Sequence, residues 1–112
     1  MDYDRFEVVT VPFPFTDKAQ VKRRPALVLS SHAAFGRKAG HSVMAMITSA
    51  QNPPWPHDVP ISDLNTAGLP APSVVRMKLF TLDHRFIIAK RGKLSEKDRK
   101  AAGRALKSAL DL

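Results

Sequence analysis

The sequence predicts a mainly β domain closed by one C-terminal helix, and three observations carry that prediction. Val9, Val11, Phe13 and Phe15 alternate with Thr10, Pro12 and Pro14, the period of two that marks a strand with one buried face. Apolar runs recur at 25–31, 41–48 and 73–83, with turn-forming segments between them. After Ser95 the period changes: Ala102, Ala105, Leu106, Ala109 and Leu110 make an apolar stripe at helical spacing.

The elements follow in order. Pro12 has no N–H to donate and marks an edge or a bulge near the end of the first strand. Residues 17–23 are polar and read as a loop. Residues 25–31 form a short buried strand. Residues 35–40, with two glycines and two basic side chains, read as a loop. Residues 41–48 form a third strand, apolar on both faces. Residues 50–57 hold three of the nine prolines and must be irregular. Residues 58–61 are a short strand, and 62–72 a turn-rich connection in which Gly68 supplies a special backbone angle.

Residues 73–83 are the longest strand candidate. Val75, Met77 and Leu79 should face the core, with Arg76, Lys78 and Phe80 on the opposite face. A tight turn at Asp83-His84-Arg85 leads to a final strand at 86–90. Ser95 caps a helix running to about Leu110, with Asp98 as a capping-box variant and Glu96 favourable to the helix dipole. Gly103 either weakens this helix or permits close packing. There is no repeat, linker or low-complexity segment, and 1–112 reads as a single domain. Short strands with a terminal helix fit a partly open barrel with the helix docked on it.

Composition narrows the partners. Eighteen Lys and Arg against ten Asp and Glu give a net charge of +8. Such an excess favours nucleic acid, an anionic surface or an acidic protein. The basic residues fall in groups: 18–24, Arg76 with Lys78, 85–93, and the last helix. There are no cysteines, which excludes disulfides and thiolate metal sites. No leader pattern and no membrane-length apolar run are present. The expectation is a soluble cytoplasmic protein with no membrane role.

Several residues could carry chemistry. Arg24 precedes Pro25, which disfavours the α region for it and holds it extended at a strand entrance. A guanidinium so held can grip two phosphate oxygens at once. Thr48-Ser49 sits where a strand turns into a loop, so its hydroxyls serve either a substrate or the local backbone. Trp55, in Asn52-Pro53-Pro54-Trp55-Pro56-His57, is either a platform for a stacked base or a lid tucked on the core or a dimer contact. Phe13 and Phe15 are expected in the core. His84, in a turn beside Arg85, is the one histidine that could lie near a substrate, although a surface turn is the role its setting favours, with His32 a weaker candidate. His32, His41, His57 and His84 are too scattered for a metal site. There is no glycine-rich phosphate loop, and no cofactor or metal is expected.

The segments 8–17, Arg24 to Ser30, Ile47-Thr48-Ser49, Gly68-Leu69, Ser73-Val74-Val75-Arg76, Thr81-Leu82-Asp83 and Gly92-Lys93-Leu94-Ser95 together resemble the MazF/PemK family, the toxins of bacterial toxin–antitoxin pairs. The resemblance spans nearly the whole chain. It implies an SH3-like small barrel of the MazF/PemK/CcdB kind that cuts single-stranded messenger RNA without a metal, leaving a 2′,3′-cyclic phosphate and a 5′-hydroxyl. It implies a homodimer and a cognate antitoxin whose acidic, disordered segment covers the RNA groove. Arg24 and Thr48 match the family's catalytic positions. Lys22, Ser49, Arg76, Lys78, Trp55 and His84 are the expected substrate contacts.

Two departures stand out. Lys78 occupies the position where some members carry an Asp that helps deprotonate the 2′-hydroxyl. Phe6-Glu7 replaces the Gly-Asp that opens the first strand in many members, and Phe6 lacks glycine's freedom. Two alternatives remain at this stage. One is a member that binds RNA or antitoxin without cutting. The other is a gyrase-binding poison of the same fold, against which counts the ending Ala109-Leu110-Asp111-Leu112, since such poisons use a Trp-Gly-Ile end.

Overall fold

A computed structural model describes residues 2–13 and 22–112. The strands are β1 (Glu7–Phe13), β2 (Lys22–Val28), β3 (His41–Ser49), β4 (Val59–Pro60), β5 (Ser73–Asp83) and β6 (Ala89–Lys93). The helices are α1 (Arg37–Ala39), α2 (Leu64–Ala67) and α3 (Glu96–Leu110). The strands make one sheet, ordered β4-β5-β3-β2-β1-β6, antiparallel throughout and curled into a half-barrel. No described helix is long and apolar enough to cross a membrane.

Strand alternation divides the core in two. Val8, Leu27, Ala45, Ile47 and Val75 point to the side covered by α3, where Leu69, Leu94 and Ala102 join them. Val9, Val11, Ala26, Val28 and Met44 point the other way, closed over by Tyr3, Leu82 and Ile87. Burying each Val or Leu side chain contributes about 1.5–3 kcal/mol, so both faces hold the sheet together. On β5, Val75 and Met77 lie on the α3 side and Phe80 and Leu82 on the other, as the alternation predicts. Leu79 keeps its expected face but stays 39% exposed near the end of α3. The β3–β5 register slips from Ala45↔Leu79 to Met46↔Arg76, so Met77 and Lys78 form a bulge.

Several boundaries differ from the sequence reading. β2 starts at Lys22, so Arg24 lies inside a strand opposite Val11 rather than at a strand entrance. Residues 32–39 are helical, a π-turn followed by α1, and end on left-handed Gly40. The 62–72 connection contains α2, capped by the Asp63 carboxylate and by Gly68 at φ 72°. A side chain at Gly68 would also collide with the Arg91 carbonyl, so glycine is required there twice over. The last strand is β6, after a 3₁₀ turn at His84–Phe86, and not 86–90. Phe15, with the end of the predicted first strand and residues 17–21 of the predicted loop, lies outside the described residues.

Phe6 overturns one expectation. It adopts φ 71° itself. Its N–H donates to the Val28 carbonyl at 2.7 Å, its carbonyl accepts from Leu94 N at 3.0 Å, and its ring packs on the α3-side core. Those contacts offset a left-handed residue's cost of roughly 1–2 kcal/mol.

At α3, the Ser95 hydroxyl accepts from Asp98 N, as expected of an N-cap. The Asp98 carboxylate does not return to the cap backbone. It accepts from Ser62 N, Ser62 Oγ and Asp63 N and ties α3 to the chain after β4. Burial raises its pKa, but the hydrogen bonds from Asp63 and Ser62 outweigh this and leave it below the ordinary value. Ala109 and Leu110, at the end of the predicted stripe, are exposed.

Candidate functional site

Counting by twos along each strand locates the site. From Val9 and Val11, β1 reaches Phe13. From Val28 and Ala26, β2 reaches Arg24 and then Lys22. From Met44, β3 reaches Met46 and Thr48. From Leu82 and Phe80, β5 reaches Lys78 and Arg76. All these residues share the face of the second core. Tyr3, Leu82 and Ile87 close that face near Met44. Beyond Met46 it opens into a depression lined by Phe13, Arg24, Met46, Ile47, Thr48, Asn52, Arg76 and Lys78. Phe13 is therefore a wall of the groove, 39% exposed, and not a core residue.

The depression has a local cause. β2 pairs with β3 only over Ala26–Val28, while its pairing with β1 continues back to Lys22. Pro25, without an N–H, sits where the β2–β3 ladder stops. The strands part there, with Arg24 on one side of the gap and Thr48 on the other. Among the described residues the Arg24 guanidinium makes no hydrogen bond or ion pair. A second depression continues past Thr48, lined by Arg24, Thr48, Ser49, Ser73 and Arg91 and walled by Pro70, Ala71 and Pro72.

The loop after β3 is tied down at both ends. Asn52 N donates to the Ser49 carbonyl at 3.1 Å, closing a turn. The Ser49 hydroxyl accepts from Gln51 N at 3.2 Å. Asn52 Nδ2 donates to Thr48 Oγ1 at 2.6 Å. Further on, Arg76 donates to Asp58 through Nε at 3.2 Å and Nη2 at 3.0 Å, and to the Pro53 carbonyl at 2.8 Å. Asp58 also accepts from Trp55 N. The hydrogen bond from Arg76 holds the Asp58 carboxyl below its ordinary pKa against the opposing effect of burial.

Arg76 thus lines the groove with its charge matched. It holds the 52–58 loop through Pro53 and Asp58. Trp55 is neither fully lid nor free platform: it is 43% exposed, with Lys78 Nζ 4.7 Å and the Arg76 guanidinium 5.8 Å from its ring centre.

Arg24, Thr48, Arg76, Lys78 and Trp55 are brought together. Lys22 is exposed at the start of β2, on the same face as Arg24. Ser49 borders the second depression. His84 is not brought there. It lies at the opposite end of β3, where its Nε2 bonds Ser42 Oγ at 2.7 Å and its ring meets Tyr3 edge-on. Burial, with the neighbouring His41, lowers its pKa. His32 lies at that same end, near Asp2.

Asn52, Asp58, Phe13 and Arg91 are site residues that the sequence reading missed. Asn before Pro and Asp three residues after Trp were the available turn signals for the first two. Among the described residues, the groove lining contains no Asp, Glu or His. Among the described residues no three His, Asp or Glu side chains are grouped to hold a metal ion.

The chain matches, over residues 4–110, the family described as PemK-like, MazF-like toxin of type II toxin–antitoxin system. Among solved structures it resembles the MazE–MazF complex (Form-III) of Deinococcus radiodurans, with TM-score 0.79 and 23% identity over 100% of this chain and 99% of that one. It also resembles the Mycobacterium tuberculosis toxin MazF-mt6, with TM-score 0.74 and 23% identity over 95% and 97%. A third is an endoribonuclease in complex with its cognate antitoxin from a mycobacterial species, with TM-score 0.75 and 19% identity over 99% and 95%. No curated protein matches the sequence.

Proposed function

Because the chain belongs to the PemK-like, MazF-like toxin family of type II toxin–antitoxin systems, we propose that it is an endoribonuclease that cuts single-stranded RNA in the groove between β2 and β3. The observation that carries this reading is the Arg24 guanidinium, unpaired among the described residues, facing Thr48 across a gap on a basic, open sheet face. In the reaction the ribose 2′ oxygen attacks the adjacent phosphorus and the bond to the 5′ oxygen breaks. The 2′ proton is lost, the 5′ oxygen gains one, and no water is consumed. Negative charge builds on the phosphoryl oxygens, and Arg24 is the group to stabilise it. Thr48 contributes a hydroxyl to the phosphate or to the 2′ oxygen. Lys22 and Lys78 hold flanking phosphates, and the exposed face of Trp55 stacks a base. Two further proposals follow from the same family reading: a homodimer, and an antitoxin whose acidic segment occupies this groove, favoured by complementary charge.

A second reading has one observation in its favour. With Lys78 in the place of an acid and no carboxylate or imidazole among the described residues of the lining, the groove suits binding as well as cutting. One experiment separates the two readings. The purified protein is incubated with a long single-stranded RNA in EDTA and the ends are mapped. The proposal expects discrete cuts with 2′,3′-cyclic phosphate and 5′-hydroxyl ends. RNA bound but intact supports the second reading.

A further inference from the structure

We propose that Asn52 is a positioning residue that aims the Thr48 hydroxyl proton into the groove. The inference rests on the cleavage reading above. Asn52 Nδ2 donates to Thr48 Oγ1 at 2.6 Å. A hydroxyl has one proton and two lone pairs. With the Asn52 amide on one lone pair, the Thr48 proton is turned away from Asn52. Among the described residues that proton meets no acceptor, and Thr48 lines both depressions of the groove. It is therefore available to a phosphoryl oxygen lying between Thr48 and Arg24.

The amide is held for this task. On its N-terminal side the Ser49–Asn52 turn is closed by Asn52 N to the Ser49 carbonyl. On its C-terminal side Pro53 restricts the Asn52 backbone to extended conformations, and the Pro53 carbonyl is gripped by Arg76. Arg76 is in turn locked to Asp58. A chain of contacts from β5 thus ends at the Thr48 oxygen.

Removing the amide leaves the hydroxyl free to rotate, so Asn52→Ala should lower kcat about tenfold with KM nearly unchanged, a fraction of the 10²–10³ lost with a full transition-state donor. The decisive test is a double-mutant cycle in single-turnover cleavage. Asn52→Ala should cost about tenfold in the wild-type background and nothing in a Thr48→Val background. An equal cost in both backgrounds overturns the inference. A second arm uses Asn52→Asp. At neutral pH its carboxylate accepts the Thr48 proton and draws it out of the groove, so kcat should fall further. As pH drops through the carboxyl range the protonated acid donates again, and the ratio of variant to wild-type kcat should rise. A flat ratio, or a variant as fast as wild type at pH 7, overturns it. If wild-type protein itself leaves RNA intact, the cleavage reading fails. If wild type cuts and the cycle is additive, only the Asn52 role fails.

Discussion

Lys78 and Arg76 stand one pleat apart on the same face of β5, yet the structure assigns them different electrostatic duties. Arg76 is paired with Asp58. Lys78 meets only the Trp55 ring among the described residues. Among the described residues, Lys22, Arg24 and Lys78 are the cations beside the first depression without an acidic partner, while Arg91, at the second, is held by the Gly68 carbonyl and the Thr10 hydroxyl. Each phosphate neutralised on a single strand adds about 0.7 to the log–log dependence of affinity on salt, so three give a slope near −2.1. Raising salt from 50 to 200 mM should then weaken binding about 18-fold.

Lys78→Ala should bring the slope to about −1.4 and the loss to about 7-fold, much the same for all RNA sequences. Arg76→Met should leave the slope near −2.1, because the charge it removes already has a partner. Its effect should appear in the mobility of Trp55 and in cleavage. Fluorescence anisotropy with a 2′-O-methyl oligonucleotide, which cannot be cut, measures binding alone. A slope that flattens for Arg76→Met and not for Lys78→Ala would refute the assignment.

Other consequences concern stability. Asp98→Ala should destabilise the protein by about 2–3 kcal/mol, since it strips acceptors from the N–H groups of Ser62 and Asp63; urea unfolding measures this, and a loss under 0.5 kcal/mol contradicts the tie between α3 and the post-β4 chain. Gly103→Ala should stabilise α3 by about 0.5–1 kcal/mol, because a methyl group there would meet only the Phe6 ring at 4.0 Å; a lower melting temperature would show that the helix needs closer approach. On acidification, stability should fall in two stages. His84 has a folded pKa below 6.5, so the unfolded chain takes up the proton first and stability drops as pH falls below about 6.5. Asp98, with its pKa below 3.8, contributes stability above about pH 4 that is lost as pH falls through its folded pKa. His84→Gln should abolish the first stage in unfolding curves at pH 7.5 and 5.5; an unchanged decline would remove His84 as its cause.

Much of the fold was legible because strand alternation is a local signal. The bounds of β5, the start of α3 and the two faces of Val75 to Phe80 all followed from period and capping. The last strand was misread because Phe86, Ile87 and Ile88 are apolar. Only Ile87 turns into the core, while Phe86 and Ile88 stay exposed. The polar run Ala89–Lys93 forms β6 because an edge strand needs backbone pairing with β1 more than it needs apolar side chains. At the site, Arg24, Thr48 and Lys78 were visible as residue types in context. Asp58 was not, because its partner Arg76 lies 18 residues away and no local pattern joins them. His84, in a turn beside Arg85, fits a surface turn better than a substrate contact in the sequence, and the length of β3 places it at the end away from the groove.

Arg24 is proposed to stabilise charge on the scissile phosphate. The most direct measurement is the single-turnover cleavage rate of Arg24→Ala at saturating protein, beside a circular-dichroism melt of the same sample. The melt should match that of wild type and the rate should fall about 10²–10⁴-fold. A folded Arg24→Ala protein that cuts RNA at close to the wild-type rate would contradict it.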